Sequence, residues 1–286
     1  MRTSRQAPAK INLALDILGR REDGYHDLRM VMQTVSLCDT VTLEEGGDGF
    51  SLETDRGFLP PGRKTLEQRA AESFYSAVGL PMPALRVTLE KTTPAYAGLG
   101  GGSADVAALL RLLRERYAPA LSDGELERIG LEVGSDMPFC VRGGTALAEG
   151  RGEQLTDLPP LPDCWIVLCK PDFGIPTPSL FARADGAAFR RRPDIDGMAA
   201  ALAHGDLAGV AARLCNVFEE VLPPEYGEVF SIRDRLRSLG AMNAAMSGSG
   251  PAVFGLFRQE SEAARAANVL RRDHRETYLA QPVRKL

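Results

Sequence analysis

The stretch TPAYAGLGGGSADVAALLRLL, residues 93–113, holds four glycines within the five positions from Gly98 to Gly102 and runs straight into an apolar segment. Glycine loses more backbone freedom on folding than any other residue, and a run of it packs nothing. Its use must lie in backbone geometry. Directly after it, Val106, Leu109, Leu110 and Leu113 recur at helical spacing, which predicts a buried helix. A helix N-terminus carries unpaired amides and the positive end of the dipole. Glycines just upstream let those amides converge on an anion with no Cβ in the way. The segment therefore reads as a phosphate cradle, and the plainer alternative is a flexible connector with a helix cap. A Walker A loop is excluded, since no G-x-x-x-x-G-K-[ST] is present; the G-x-G-x-x-G spacing fails because Ser103 follows Gly102,. A protein-kinase glycine loop joins two strands, whereas this one opens a helix.

The anion must be bound locally. The formal net charge is −4 over 286 residues, so no global basic field attracts nucleic acid or anionic lipid,. Apolar residues at 44% and charged residues at 25% fit a globular chain with a sizeable core,. The opening MRTSRQAPAKINLAL lacks the continuous apolar core of a signal peptide, and no run is long enough to span a bilayer, so a cytoplasmic location is expected. Five scattered cysteines without C-x-x-C spacing read as core thiols of a reducing compartment, and three dispersed histidines suggest no metal cluster,.

KINLALDILGR alternates Ile11, Leu13, Leu15 and Ile17 on one face, the pattern of a half-buried strand,. Asp23-Gly24 predicts a hairpin turn. YHDLRMVMQTVSL is the next strand, and DTVTLEE and GFSLET extend the sheet. TLEQRAAESFYSAVG is a helix with Leu66, Ala70, Phe74 and Ala77 on its inner side; ALRVTLEK is a strand. Ser122 and Glu125 form a capping box for a helix ending at Gly134,. GGTALAEGRGEQL is a hairpin around Gly150 and Gly152. The proline-rich TDLPPLPDC marks a boundary that divides residues 1–156 from 157–286. The second part reads as strand WIVLCK, several helices, helix EVFSIRDRLRSLG, a strand, SGSG, strand AVFGLF, helix SEAARAANVLRR and a last strand near TYLAQPV. This order predicts an α+β fold.

By residue type alone the candidate chemistry stays open. Lys10 would be a solvated edge charge. Asp136 in GSDMPF would be a turn or cap aspartate, and Ser103 an N-cap. Tyr25 and His26 would be exposed hairpin residues, Phe181 a core residue, and Ser247 to Gly250 a tight turn.

Three stretches change that balance. PAYAGLGGGSADVAALL resembles the nucleotide-binding motif of the GHMP kinases, PAKINLAL resembles their first motif and MSGSGPAVFGLF their third. REDGYHDL, GSDMPF and GIPTPSLF narrow the resemblance to the branch that phosphorylates the tertiary 2-hydroxyl of a cytidine diphosphate sugar alcohol in the non-mevalonate route to isoprenoids. The resemblance implies an N-terminal domain like domain 2 of ribosomal protein S5 and a C-terminal ferredoxin-like domain. It implies ATP with Mg²⁺, held by Pro94, Ala95, Tyr96, Ala97, Gly98, Leu99, Gly100, Gly101, Gly102, Ser103 and Ala104, with the Ser103 hydroxyl near the metal. Tyr96 departs from the pattern, because small residues usually precede the glycines. Lys10 and Asp136 are implied as catalytic, Asp136 as base. Tyr25 and Phe181 would sandwich the cytosine, His26 would bond its edge, and Asn12, Ser247 and Gly248 would touch substrate. Partners beyond a small molecule are not implied; no nucleic acid or membrane is expected, and the chain would act as a monomer or weak homodimer. Another GHMP kinase, for homoserine or a mevalonate derivative, and a non-catalytic ligand sensor on the same fold are the alternatives.

Overall fold

The computed structural model describes residues 2–55 and 64–285. The chain forms two compact units, one of Met1–Ala9, Cys38–Thr93 and Gly100–Arg142, the other of Lys10–Leu37, Pro94–Leu99 and Gly143–Leu286. Both are built from strands and helices, as expected for α+β.

In the first unit lie the start of β1 (Arg2–Arg20), the second half of β2 (His26–Glu45), β3 (Phe50–Thr54) and β4 (Leu85–Glu90). β3 runs parallel to β4, and β4 antiparallel to the Thr40–Glu45 end of β2. Four helices complete the unit: α1 (Leu66–Val78), α2 (Gly101–Tyr117), α3 (Asp123–Leu131) and α4 (Met137–Arg142). α2 packs on α1, α3 and α4. Its residues from Ala104 to Leu113 are all buried, in keeping with the apolar run behind the glycines. Two expectations shift. β2 is one continuous strand, because Asp39, which reads as a break, is fully buried and its carboxylate accepts the Thr92 and Thr93 amides. The inner side of α1 holds Ala70 and Phe74 as expected but shifts at its ends: Leu66 and Ala77 are exposed, while Glu67, Ala71 and Tyr75 are buried.

In the second unit, β1 continues beside the short β8 (Cys215–Asn216), parallel, with Ala14 opposite Cys215. The first half of β2 pairs with β5 (Thr145–Gly150), which forms the expected hairpin with β6 (Gln154–Asp157). The proline-rich segment is irregular until β7 (Trp165–Lys170). Then come α5 (Thr177–Ala184), α6 (Ile195–Ala203), α7 (Leu207–Ala212), β8, α8 (Glu228–Ser238), β9 (Asn243–Met246), β10 (Val253–Phe257), α9 (Glu260–Leu270) and β11 (Glu276–Ala280). The four strands β7, β9, β10 and β11 form an antiparallel sheet in the order β11-β7-β10-β9. Counted along the chain this is fourth-first-third-second, with α8 and α9 packed on it. That is the ferredoxin-like arrangement expected for this part.

β1 departs from the half-buried reading. Lys10 to Ile17 are buried on both faces, so Asn12 does not face solvent. Four of the five cysteines are buried, in keeping with core thiols. No helix among the described residues is long and apolar enough to cross a membrane.

Candidate functional site

The glycine segment straddles the division between the units, and each part is built by its own neighbours. In the second unit, the Lys10 amide donates to the Leu99 carbonyl at 2.9 Å, and the Ala252 amide to the Ala97 carbonyl at 3.1 Å. The Ser247 hydroxyl donates to the Gly98 carbonyl at 2.9 Å and accepts the Asn12 amide at 3.3 Å. Pro94 and Ala97 are buried in this layer, while Ala95 is exposed. The approach of backbone to backbone explains the glycines here. Gly98 has φ +75°, and a Cβ on it would overlap the Ser247 carbonyl oxygen and lie 2.9 Å from the Gly250 amide nitrogen. Gly248, at φ +56°, faces back: its Cβ would sit 2.9 Å from the Gly98 oxygen and 3.3 Å from Lys10 Nζ. Ser247, Gly248 and the upstream part of the glycine segment are thus one tightly fitted layer.

Lys10 is only 4% exposed, and its ammonium donates to Asn12 Oδ1 at 2.8 Å. It is no solvated edge charge. Asn216, which sequence reasoning missed, is also buried and donates to the Met246 and Gly248 carbonyls, both at 2.8 Å. It clamps the SGSG turn from below; a lone polar residue in the apolar stretch LCNVF was the signal.

In the first unit, Gly100 caps α2 in the left-handed conformation, φ +68°, with no side-chain cap bond and no acid in the first turn. The first intrahelical bond runs from the Ala104 amide to the Gly100 carbonyl. The amides of Gly101, Gly102 and Ser103 therefore lie before the ladder begins, and the first turn itself contributes no acid,. Ser103 is not the N-cap that its type suggested but the third helical residue. The glycines of this half differ in kind. A Cβ on Gly101 would meet Thr93 Cγ2 at 3.0 Å, whereas one on Gly102 would reach only Leu66 Cδ1 at 3.6 Å. Gly101 is small for packing, whereas packing does not require a glycine at Gly102.

A buried ion cluster braces this helix start. Lys91 contacts both Asp39 and Asp105, which are almost fully buried. Burial works against the Lys91 charge, yet Asp105 and Asp39 hold its ammonium above the usual range. Burial raises Asp105 to about 7, against the opposing pull of Lys91. Glu67 is likewise pushed up by burial. An aspartate in the apolar run ADVAALL was the readable sign of a buried partner. An acid raised in the fold supports it while protonated, and that support is lost as pH climbs through about 7. Asp105→Asn, uncharged throughout, is expected to gain in melting temperature relative to the parent as pH rises from about 5 to about 8. A parent-to-variant difference that stays constant over that range would contradict this assignment.

Asp136 immediately precedes α4 and is half-buried; its carbonyl accepts the Cys140 amide at 3.1 Å. Tyr96 is 72% exposed and holds φ +51°, a conformation costly for a non-glycine residue,. Its ring is directed outward at the upstream edge of the glycine segment.

The base-side residues belong to the second unit. The hairpin turn is as expected, with the Arg21 amide donating to the Tyr25 carbonyl at 2.8 Å and Gly24 at φ +84°. Tyr25 is 53% exposed, and the Arg151 guanidinium lies 4.8 Å from its ring centroid. His26 stacks on Phe181 at 4.7 Å and 26°, and Phe218 meets Phe181 edge-on at 4.9 Å. The structure thus brings His26 and Phe181 together.

Among the described residues, no group of three or more His, Cys, Asp or Glu is placed to hold a metal ion.

Comparison with known proteins gives the same frame. The model of the GHMP kinases N terminal domain matches residues 65–144, and that of the GHMP kinases C terminal region matches residues 198–276. A 4-diphosphocytidyl-2-C-methyl-D-erythritol kinase of Moorella thermoacetica is 44% identical over 96% of this chain and 97% of its own length. One of Listeria monocytogenes is 43% identical over 99% of this chain and 96% of its own. A crystal structure of 4-(cytidine 5'-diphospho)-2C-methyl-D-erythritol kinase superposes with a TM-score of 0.81 at 34% identity, covering 98% of this chain and 99% of that one. A homoserine kinase from Cytophaga hutchinsonii has a TM-score of 0.75 at 16% identity and shares the fold alone.

Proposed function

The chain belongs to the 4-diphosphocytidyl-2-C-methyl-D-erythritol kinase family of the GHMP kinases, and from that membership we propose that it transfers the γ-phosphoryl group of ATP to the 2-hydroxyl of that cytidine diphosphate sugar alcohol. The observation that carries this reading is identity of 40% or more to such kinases along almost the whole chain. Homoserine kinase shares the fold at far lower identity.

The roles follow from the chemistry. The Gly101, Gly102 and Ser103 amides bind the phosphates, backed by the Pro94–Ala104 segment. Mg²⁺ accompanying ATP would offset phosphate charge, with the Ser103 hydroxyl the protein oxygen that would face it. Asp136 orients the acceptor hydroxyl and takes its proton late, since a loose phosphoryl transfer needs little prior deprotonation. Lys10 stabilises charge on the acceptor oxygen. Asn12, Ser247 and Gly248 line the acceptor. Tyr25 and Phe181 sandwich the cytosine ring, and His26, stacked against Phe181, bonds its edge,. Residues 1–156 constitute the nucleotide-binding domain and 157–286 the C-terminal one. The enzyme works in the cytoplasm in the non-mevalonate route to isoprenoids, as a monomer or weak homodimer.

The test is turnover with Mg-ATP against three acceptors, the cytidylylated methylerythritol, homoserine and mevalonate, followed by ADP release. ADP is expected with the first alone. Release with either of the others and none with the first would overturn the assignment.

A further inference from the structure

The geometry points to Asp185 as the positioning residue that fixes which nitrogen of His26 reads the base, an inference that rests on the proposed cytidine substrate. α5 and its C-terminal cap present two groups one turn apart, Phe181 and Asp185, linked by the Asp185 amide donating to the Phe181 carbonyl at 3.0 Å. Both hold the same imidazole. Phe181 supports its face at 4.7 Å, and the Asp185 carboxylate lies 2.6 Å from Nε2. The His26 side chain is only 9% exposed and Asp185 31%. Arg20 Nη1 lies 3.2 Å from the other carboxylate oxygen in a solvent-exposed ion pair, which contributes little.

A neutral imidazole has one N–H and one lone pair, and a partner at one nitrogen decides the role of the other. An ionised carboxylate only accepts. Nε2 must therefore carry the hydrogen, which leaves Nδ1 as an acceptor. Cytosine presents an exocyclic amine donor where uracil presents a carbonyl acceptor. An acceptor at Nδ1 pairs with the amine and opposes the carbonyl. The cytidine preference is thus set by a carboxylate that stands behind the imidazole rather than against the base.

Asp185→Asn keeps size and hydrogen bonding but removes the acceptor-only character, since an amide can accept from Nε2 or donate to it. Long-range ¹⁵N–¹H NMR on the neutral imidazole reads the tautomer without turnover. The parent is expected to be the Nε2–H form, and Asp185→Asn a mixture. The ratio of kcat/KM for cytidine over uridine diphosphate substrates should fall about 10-fold in Asp185→Asn, the scale of one mismatched polar contact. The loss should lie in KM, with kcat for the cytidine substrate kept. Asp185→Glu, again acceptor-only, should restore the preference, and Arg20→Gln should leave the ratio within about twofold of the parent. An Nδ1–H tautomer in the parent, or an unchanged ratio in Asp185→Asn alongside normal cytidine turnover, overturns the role of Asp185 alone. A parent in the Nε2–H form that turns over no cytidine substrate overturns the substrate assignment instead.

Discussion

Asp136→Asn is expected to lower kcat by about 10²- to 10⁴-fold, the range for loss of a positioned proton acceptor. The substitution keeps the size of the side chain and leaves untouched the backbone carbonyl that receives the Cys140 amide at the start of α4. The fold and the nucleotide affinity should survive. The loss belongs to the transition state, so kcat and kcat/KM fall together. Rapid-quench measurement of the phosphorylated product in a single turnover isolates the chemical step. A variant retaining near-parental single-turnover rates would remove Asp136 from its assigned role.

The second large effect is expected at Gly98. Its Cα faces the Ser247 carbonyl, so the Cβ of alanine has nowhere to go unless one backbone segment moves. A left-handed φ of +75° adds a cost that only glycine escapes,. Overpacking together with that strain predicts a loss of about 2–5 kcal/mol in stability for Gly98→Ala. Nucleotide affinity should fall with it, because the layer that seats the glycine segment is displaced. Gly102→Ala is the informative counterpart. Its Cβ would make ordinary contact with Leu66, in a helix where alanine is favoured,. Stability should hold to within about 1 kcal/mol, while ATP affinity drops wherever phosphate approaches that Cα. Thermal melting beside calorimetric titration separates the two variants. Equal melting temperatures for Gly98→Ala and the parent would refute the packing argument.

Part of this site is legible in the amino-acid sequence. The glycine segment announces its helix because two strong signals adjoin, bare backbone and then buried apolar periodicity. The hairpin at Asp23-Gly24 and the order of the last strands are equally plain, since turn chemistry and alternation are local. What escapes such reading is non-local. β1 is buried on both faces because Lys10 and Asn12 satisfy each other there, a pairing that alternation cannot display. β2 runs through Asp39 because its carboxylate accepts from Lys91 and from two amides of another segment. Asn216 and Asp185 act on residues far away in sequence, the SGSG turn and His26. Ser103 resembles a cap, yet Gly100 takes that position because the chain enters α2 through a left-handed turn.

The central claim is that the phosphoryl group lands on the tertiary 2-hydroxyl of the cytidylylated methylerythritol, and the ³¹P spectrum of the reaction product tests it most directly. The carbon bearing that hydroxyl carries no hydrogen. The new phosphomonoester is therefore expected as a resonance without three-bond proton coupling, beside the unchanged diphosphate pair. A doublet would place the phosphate on the secondary hydroxyl and a triplet on the primary one, and either would contradict the account.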